Sequence, residues 1–149
     1  MIALLQRVSS AAVRVEGEVI ARVSSGLLVF LGIERGDSDR EAEKLLERVL
    51  KYRIFPDARG RMNLALADVG GDLLIVPQFT LAADTRKGLR PSFEPAADPK
   101  VGRELFDGFL RQARRKHPAV ASGRFGAHMQ VELVNDGPVT FWLRTVPQE

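Results

Sequence analysis

At 149 residues the chain fits one domain, and 45% apolar content is enough for a full core and speaks against disorder. The absence of cysteine excludes disulfides, thiolate nucleophiles and cysteine–zinc sites, and is compatible with a reducing compartment. A net charge of +3 favours a polyanionic partner only weakly. Met1-Ile2-Ala3-Leu4-Leu5-Gln6-Arg7 is too short and too soon charged for a signal peptide. No apolar run approaches the roughly 20 residues of a membrane span. We therefore expect a soluble cytoplasmic protein.

Residues 2–34 read as strands. Ala12-Val13-Arg14-Val15 and Glu18-Val19-Ile20 flank Glu16-Gly17, a hairpin turn. Leu27-Leu28-Val29-Phe30-Leu31 is a continuous apolar run of strand length, the pattern of a central strand buried on both faces. Ser38-Asp39-Arg40-Glu41 is a capping box, with serine at the N-cap and glutamate three residues on. Ala42, Leu45, Leu46, Val49 and Leu50 follow at helical spacing and predict an amphipathic helix ending near Tyr52.

Gly70-Gly71 predicts a turn and Leu73-Leu74-Ile75-Val76 a buried strand, ended by Pro77, which cannot donate to a ladder. Asp84 to Pro99 is charged, rich in proline and glycine and without period, and reads as a long functional loop. Val101, Leu105, Phe109, Leu110 and Ala113 define a second helix, with Arg111, Arg114, Arg115 and Lys116 towards its C-terminal end, where cations suit the helix dipole. Met129, Val131 and Leu133 alternate with Gln130 and Glu132 as a half-buried strand, and Val139 to Val146 is the last strand. Strands at both ends with two helices between make an α+β protein with a mixed or barrel-like sheet. No domain boundary interrupts residues 1–149.

Few residues point to conventional catalysis. His117 stands at a helix end among cations, where histidine is ordinary dipole chemistry. His128 is a lone strand histidine. Two histidines without cysteine and without ligand spacing leave no metal site to expect, and no cofactor. Thr80 directly follows a buried strand; its hydroxyl either positions a water or a carbonyl, or satisfies a local backbone group. Arg86, Lys87 and Arg90, with Phe93 beyond, either track a phosphate backbone and stack a base or form a solvated charged loop. Asn135-Asp136-Gly137-Pro138 by itself reads as a turn between strands, and Arg7 as an edge arginine.

Two segments change the weight of these alternatives. Pro77-Gln78-Phe79-Thr80-Leu81 and Asn135-Asp136-Gly137-Pro138-Val139-Thr140 resemble the two signature motifs of the D-aminoacyl-tRNA (D-tyrosyl-tRNA) deacylases, Ser-Gln-Phe-Thr-Leu and Asn-X-Gly-Pro-Val-Thr. Supporting matches run in order through Gln6-Arg7-Val8, Gly26-Leu27-Leu28-Val29, Tyr52-Arg53-Ile54-Phe55, Met62-Asn63-Leu64, Asp84 to Phe93 and Gly123 to Ala127. The resemblance covers nearly the whole chain. Pro77 departs from the usual serine.

The resemblance implies a compact β-barrel-plus-sheet homodimer with two main helices, acting on aminoacyl-tRNA. It implies hydrolysis of D-aminoacyl-tRNA, and of glycine mischarged on tRNA-Ala, with L-amino acids rejected. Gln78, Phe79 and Thr80 would lie at the scissile ester. Gly137 and Pro138, joined by a cis bond in this family, would enter the partner's site and select chirality, with Arg7 bracing them. Arg86, Lys87, Arg90, Phe125 and Met129 are the candidate contacts to tRNA and its terminal adenosine. An aminoacyl ester is already activated and has a ribose hydroxyl beside it, so orientation and oxyanion donors, with the Phe79 and Thr80 amides as candidates, would suffice. Two rivals stand. Pro77 also occurs in related deacylases that remove L-alanine from threonine tRNA, and the basic balance without a triad fits a non-catalytic RNA-binding module.

Overall fold

The computed structural model describes residues 1–148. The sheet is built around one long strand, β1 (Ile2–Val15), which is paired along both edges. On one edge its first half pairs antiparallel with β3 (Gly26–Gly32) and its second half with β2 (Glu18–Val23). Its other edge is covered end to end by β8 (Gln130–Arg144), from Ile2↔Arg144 to Arg14↔Gln130. β3 continues the sheet in parallel to β6 (Asp72–Pro77), and β6 in parallel to β7 (Val120–Ser122). β2 packs back against β6 and β7, so the sheet curls into a nearly closed barrel. A separate small hairpin is formed by β4 (Phe55–Pro56) and β5 (Met62–Leu64).

Two helices cover one face. α1 (Asp39–Lys51) starts at the expected box: the Ser38 hydroxyl accepts from the Arg40 amide, and the Glu41 carboxylate accepts from the Ser38 amide at 2.7 Å. It ends at Tyr52 as expected. A short helix, α2 (Leu66–Val69), precedes the Gly70-Gly71 turn. α3 (Pro99–Lys116) has Asp98 as N-cap and proline at its first position, where no amide bond is lost. Among the described residues no helix is long and apolar enough to cross a membrane.

The core divides along strand alternation. Leu27, Val29 and Leu31 of β3, with Leu73 and Ile75 of β6, face α1 and α3. Leu28 of β3, with Leu74 and Val76 of β6, faces the barrel interior beside Val8, Val13 and Val23. This is why the central runs are unbroken apolar sequence: both faces are dry. His117, as C-cap of α3, is buried, with its Nε2 2.7 Å from the Gly71 carbonyl oxygen.

The α+β barrel-like sheet and both main helices match expectation. Residues 135–140 differ. They are not a turn between two strands but lie within one continuous strand, β8. Pairing jumps from Gln6↔Thr140 to Val8↔Asn135, so residues 136–139 bulge out opposite the single residue Arg7. Asn135 ties the base of the bulge: its Nδ2 donates to the carbonyls of Arg7 (3.0 Å) and Val139 (2.9 Å). Those are carbonyls that the broken ladder leaves to be satisfied.

Candidate active site

β3, β6 and β7 run in parallel, and a cavity of about 440 Å3 opens beyond their C-terminal ends. Pro77, Gln78 and Phe79 form one wall; Gly102 of α3 with Phe125, Gly126, Ala127, His128 and Met129 form the other. The volume is that of a small-molecule site, and the lining is mostly apolar. The position, outside the carboxyl ends of parallel strands, is where open α/β sheets bind ligands.

Pro77 shapes both walls. It has no N–H to offer β7, so the β6–β7 ladder stops at Ile75↔Ser122, followed by a last bond from the Gly123 amide to the Ile75 carbonyl at 2.8 Å. Residues 123–129 are then free to turn over the cavity. Gly123 must be small there: a Cβ would stand 2.9 Å from the Met129 sulfur and 3.3 Å from Pro77 Cδ.

Phe79–Ala82 form a 3-10 turn, so Thr80 lies in a turn rather than at the start of an open loop. The Gln78 amide is used on the Leu31 carbonyl at 2.8 Å, and the Leu81 amide on Gln78 O at 3.2 Å. The Phe79 and Thr80 amides, at the head of the turn, have no backbone acceptor among the described residues. Free N–H groups at the start of a helical turn are anion donors. Gln78 Nε2 donates to Thr80 Oγ1 at 2.5 Å. Phe79 is 58% exposed and meets the ring of Phe93 at 5.2 Å.

Phe125 and Met129 both line the cavity. Phe125 packs on Phe106 at 6.0 Å, and the Arg103 guanidinium lies 5.0 Å from its ring centroid. Arg86, Lys87 and Arg90 do not line the cavity. They lie on the exposed 84–92 loop, which is closed by paired Asp84 and Ser92 backbone bonds. Arg86 folds back on Asp84 through two bonds of 2.9 and 2.8 Å, which hold the Asp84 carboxyl down at about 2. His128 enters the lining, and no carboxylate does.

Gly137-Pro138 is a cis peptide in this structure and is exposed. Gly137 has φ +139°, and a Cβ there would meet Val139 Cγ2 at 2.6 Å. Arg7 braces the bulge: its Nε donates to the Asp136 carbonyl at 3.1 Å, and an Nη donates to the Ile54 carbonyl at 2.8 Å. The two motifs do not meet within one copy. The bulge sits beyond β1 at Arg7, whereas Gln78 is anchored at Leu31, opposite Ala3. Strand rise and spacing put them on the order of 15–20 Å apart. Asn135 is the residue sequence reasoning missed. Its signal was the broken pairing across from Arg7, visible only once β8 is known to be one strand.

The site is a nucleoside-sized cavity with free amides at its rim, carried on a barrel-like α+β sheet. The family model described as D-Tyr-tRNA(Tyr) deacylase matches residues 4–144. The chain is 62% identical to the D-aminoacyl-tRNA deacylase of Thioalkalivibrio sulfidiphilus over 99% of both chains, and 62% identical to that of Nitrosococcus oceani over 99% of this chain and 95% of that one. Among solved structures it superposes on a c-Myc DNA unwinding element binding protein with TM-score 0.94 at 36% identity, covering 99% and 100% of the two chains. A probable eukaryotic D-amino acid tRNA deacylase shares the fold, with TM-score 0.82 at 20% identity over 97% and 98%. The chain belongs to the D-Tyr-tRNA(Tyr) deacylase family.

Proposed function

We infer that residues 1–149 form one deacylase domain that hydrolyses the ester of D-aminoacyl-tRNA in the cytoplasm and spares the L-aminoacyl form. Glycine mischarged on tRNA-Ala is a further substrate. The observation that carries this reading is the pair of free amides of Phe79, which lines the cavity, and Thr80, which follows it. The terminal adenosine enters between Pro77 and the Phe125–Met129 wall, which brings the ester to the 3-10 turn.

Water attacks the ester carbonyl carbon. The developing oxyanion is held by the Phe79 and Thr80 amides, each worth a few kcal/mol of barrier. The bond from that carbon to the ribose oxygen breaks, and the neighbouring ribose hydroxyl relays the water's proton to the leaving oxygen. No protein base is needed, because holding ester, water and hydroxyl together supplies much of the remaining rate.

Chiral selection falls to Gly137 and Pro138 of a second copy, whose carbonyls hold the substrate's α-ammonium and exclude an L side chain. Two points support this: the segment is exposed and braced by Arg7 and Asn135, and strand rise and spacing put it on the order of 15–20 Å from Gln78 of its own copy. The test is release of tyrosine from D- and L-tyrosyl-tRNA, with L-alanyl-tRNA(Thr) as a third arm. Fast release from the D form alone is expected. Equal D and L rates, no release, or preference for L-alanine contradicts the reading.

A further inference from the structure

We propose that the RNA strand leading away from the terminal adenosine crosses Lys100, Arg103 and Arg124, rather than the basic 84–92 loop. This rests on the reading of the chain as a deacylase of aminoacyl-tRNA. A cavity of about 440 Å3 holds an aminoacyl nucleoside but no more, so the next nucleotides must leave by its mouth.

One rim of that mouth is cationic. Lys100 follows the lining residue Pro99, Arg103 follows Gly102, and Arg124 precedes Phe125. All three are exposed. Lys100 and Arg103, three apart on α3, share a helix face. Gly102 and Gly126 bring α3 and the 123–129 loop together: a Cβ on Gly102 would be 3.3 Å from the Phe125 ring, and one on Gly126 would be 3.5 Å from an Arg103 Nη. The three cations therefore stand next to residues that line the cavity.

Like many surface cations here, Lys87 and Arg90 of the loop included, they are held by no carboxylate among the described residues; what sets them apart is their place beside residues that line the cavity. Arg86 is paired with Asp84, Lys51 with Glu47 and Arg14 with Glu132. Lys100, Arg103 and Arg124 make no salt bridge among the described residues. The nearby acids are otherwise placed. Asp98 accepts from the Lys100 backbone amide as helix cap, and Glu104 and Asp107 pair with none of the three. Arg103 lies over the Phe125 ring, and stacking by its face leaves the in-plane N–H donors available to phosphate. Unpaired, pre-positioned cations at the exit of a nucleoside cavity are a phosphate track.

The experiment measures binding of uncharged tRNA against salt, with D-tyrosyl-adenosine ester as a phosphate-free substrate. Lys100→Gln with Arg124→Gln removes two charges without touching the cavity lining. The slope of log affinity on log salt should become shallower by about 1.4, the value for two single-strand phosphate contacts. Turnover of the adenosine ester should be unchanged. The loop triple Arg86→Gln, Lys87→Gln, Arg90→Gln should keep the wild-type slope. An unchanged slope in the double variant, a slope lost only in the loop triple, or no salt-dependent tRNA binding by the wild type overturns the proposal. Because the slope is read without turnover, it decides the strand path independently of D-tyrosine release, on which the deacylase reading stands or falls.

Discussion

Thr80 accepts a hydrogen bond from Gln78, and its own proton has no acceptor among the described residues. A nucleophilic hydroxyl needs the opposite arrangement, a neighbour that takes its proton. Among the described residues no carboxylate lines the cavity, and Thr80's partner is a donor. On the proposed reading the hydroxyl donates to a substrate oxygen. Thr80→Ala should slow single-turnover deacylation less than about tenfold, the loss of one modest interaction. A fall of roughly a thousandfold or more, or an acyl-enzyme trapped in the wild type, would make Thr80 the nucleophile. At this scale the sequence was only partly legible. Phe125 and Met129 were open between pocket and core from spacing alone, because spacing does not say which face of the chain meets the cavity. Arg86 was open between a phosphate contact and a solvated loop, because its engagement with Asp84, two residues away, is a matter of side-chain geometry. The Asn135 strap was hidden because its two acceptors are carbonyls at positions 7 and 139.

Elements with strong local signals were readable: α1 from its capping box and period, α3 from its apolar spacing, β3 and β6 from their dry runs. Elements that depend on partners were not. β7 is three residues long and exists because β6 offers an edge. β8 passes through Asn-Asp-Gly-Pro, a turn signal, because β1 pairs with it on both sides of the bulge. The ends of these elements are tied by charge. Glu34 takes a two-bond fork from Arg144 of β8, at 3.0 and 2.9 Å, and a third bond from the Met1 ammonium at 3.0 Å. Burial pushes the Glu34 carboxyl up, but the Arg144 fork and the ammonium outweigh it and leave it below 4.5. A lowered folded value means stabilisation that is present above 4.5 and is lost as pH falls through the folded value. Asp37 beside it is pushed up by burial, so its contribution runs the other way. The comparison must therefore be between wild type and Glu34→Gln. The variant should lose about 2 kcal/mol near neutral pH, roughly 4–8 °C in Tm. The gap should close as pH drops below 4.5. A gap that stays constant or widens in acid would mean that Glu34 acts by packing rather than charge.

Over the whole molecule, the cavity with its rim amides lies at one end of the parallel strands, and the braced Gly137-Pro138 bulge lies beyond β1. Both carry exposed groups: Phe79 at 58% beside the cavity, and Asp136, Gly137 and Pro138 all exposed on the bulge. A site that needs both is complete only when a second copy supplies the bulge. In the sequence this division follows from the family resemblance alone, since nothing in the residues fixes the distance between 80 and 137, and it is the central claim about how the molecule works. The direct measurement mixes two inactive variants, one disrupted at Gln78-Phe79-Thr80 and one at Gly137-Pro138, with subunit exchange followed independently, and reads D-tyrosine release from D-tyrosyl-tRNA. A shared site predicts partial rescue, because one site of each mixed dimer receives both intact segments. No rescue despite confirmed exchange would show that each copy works alone, and would contradict the account.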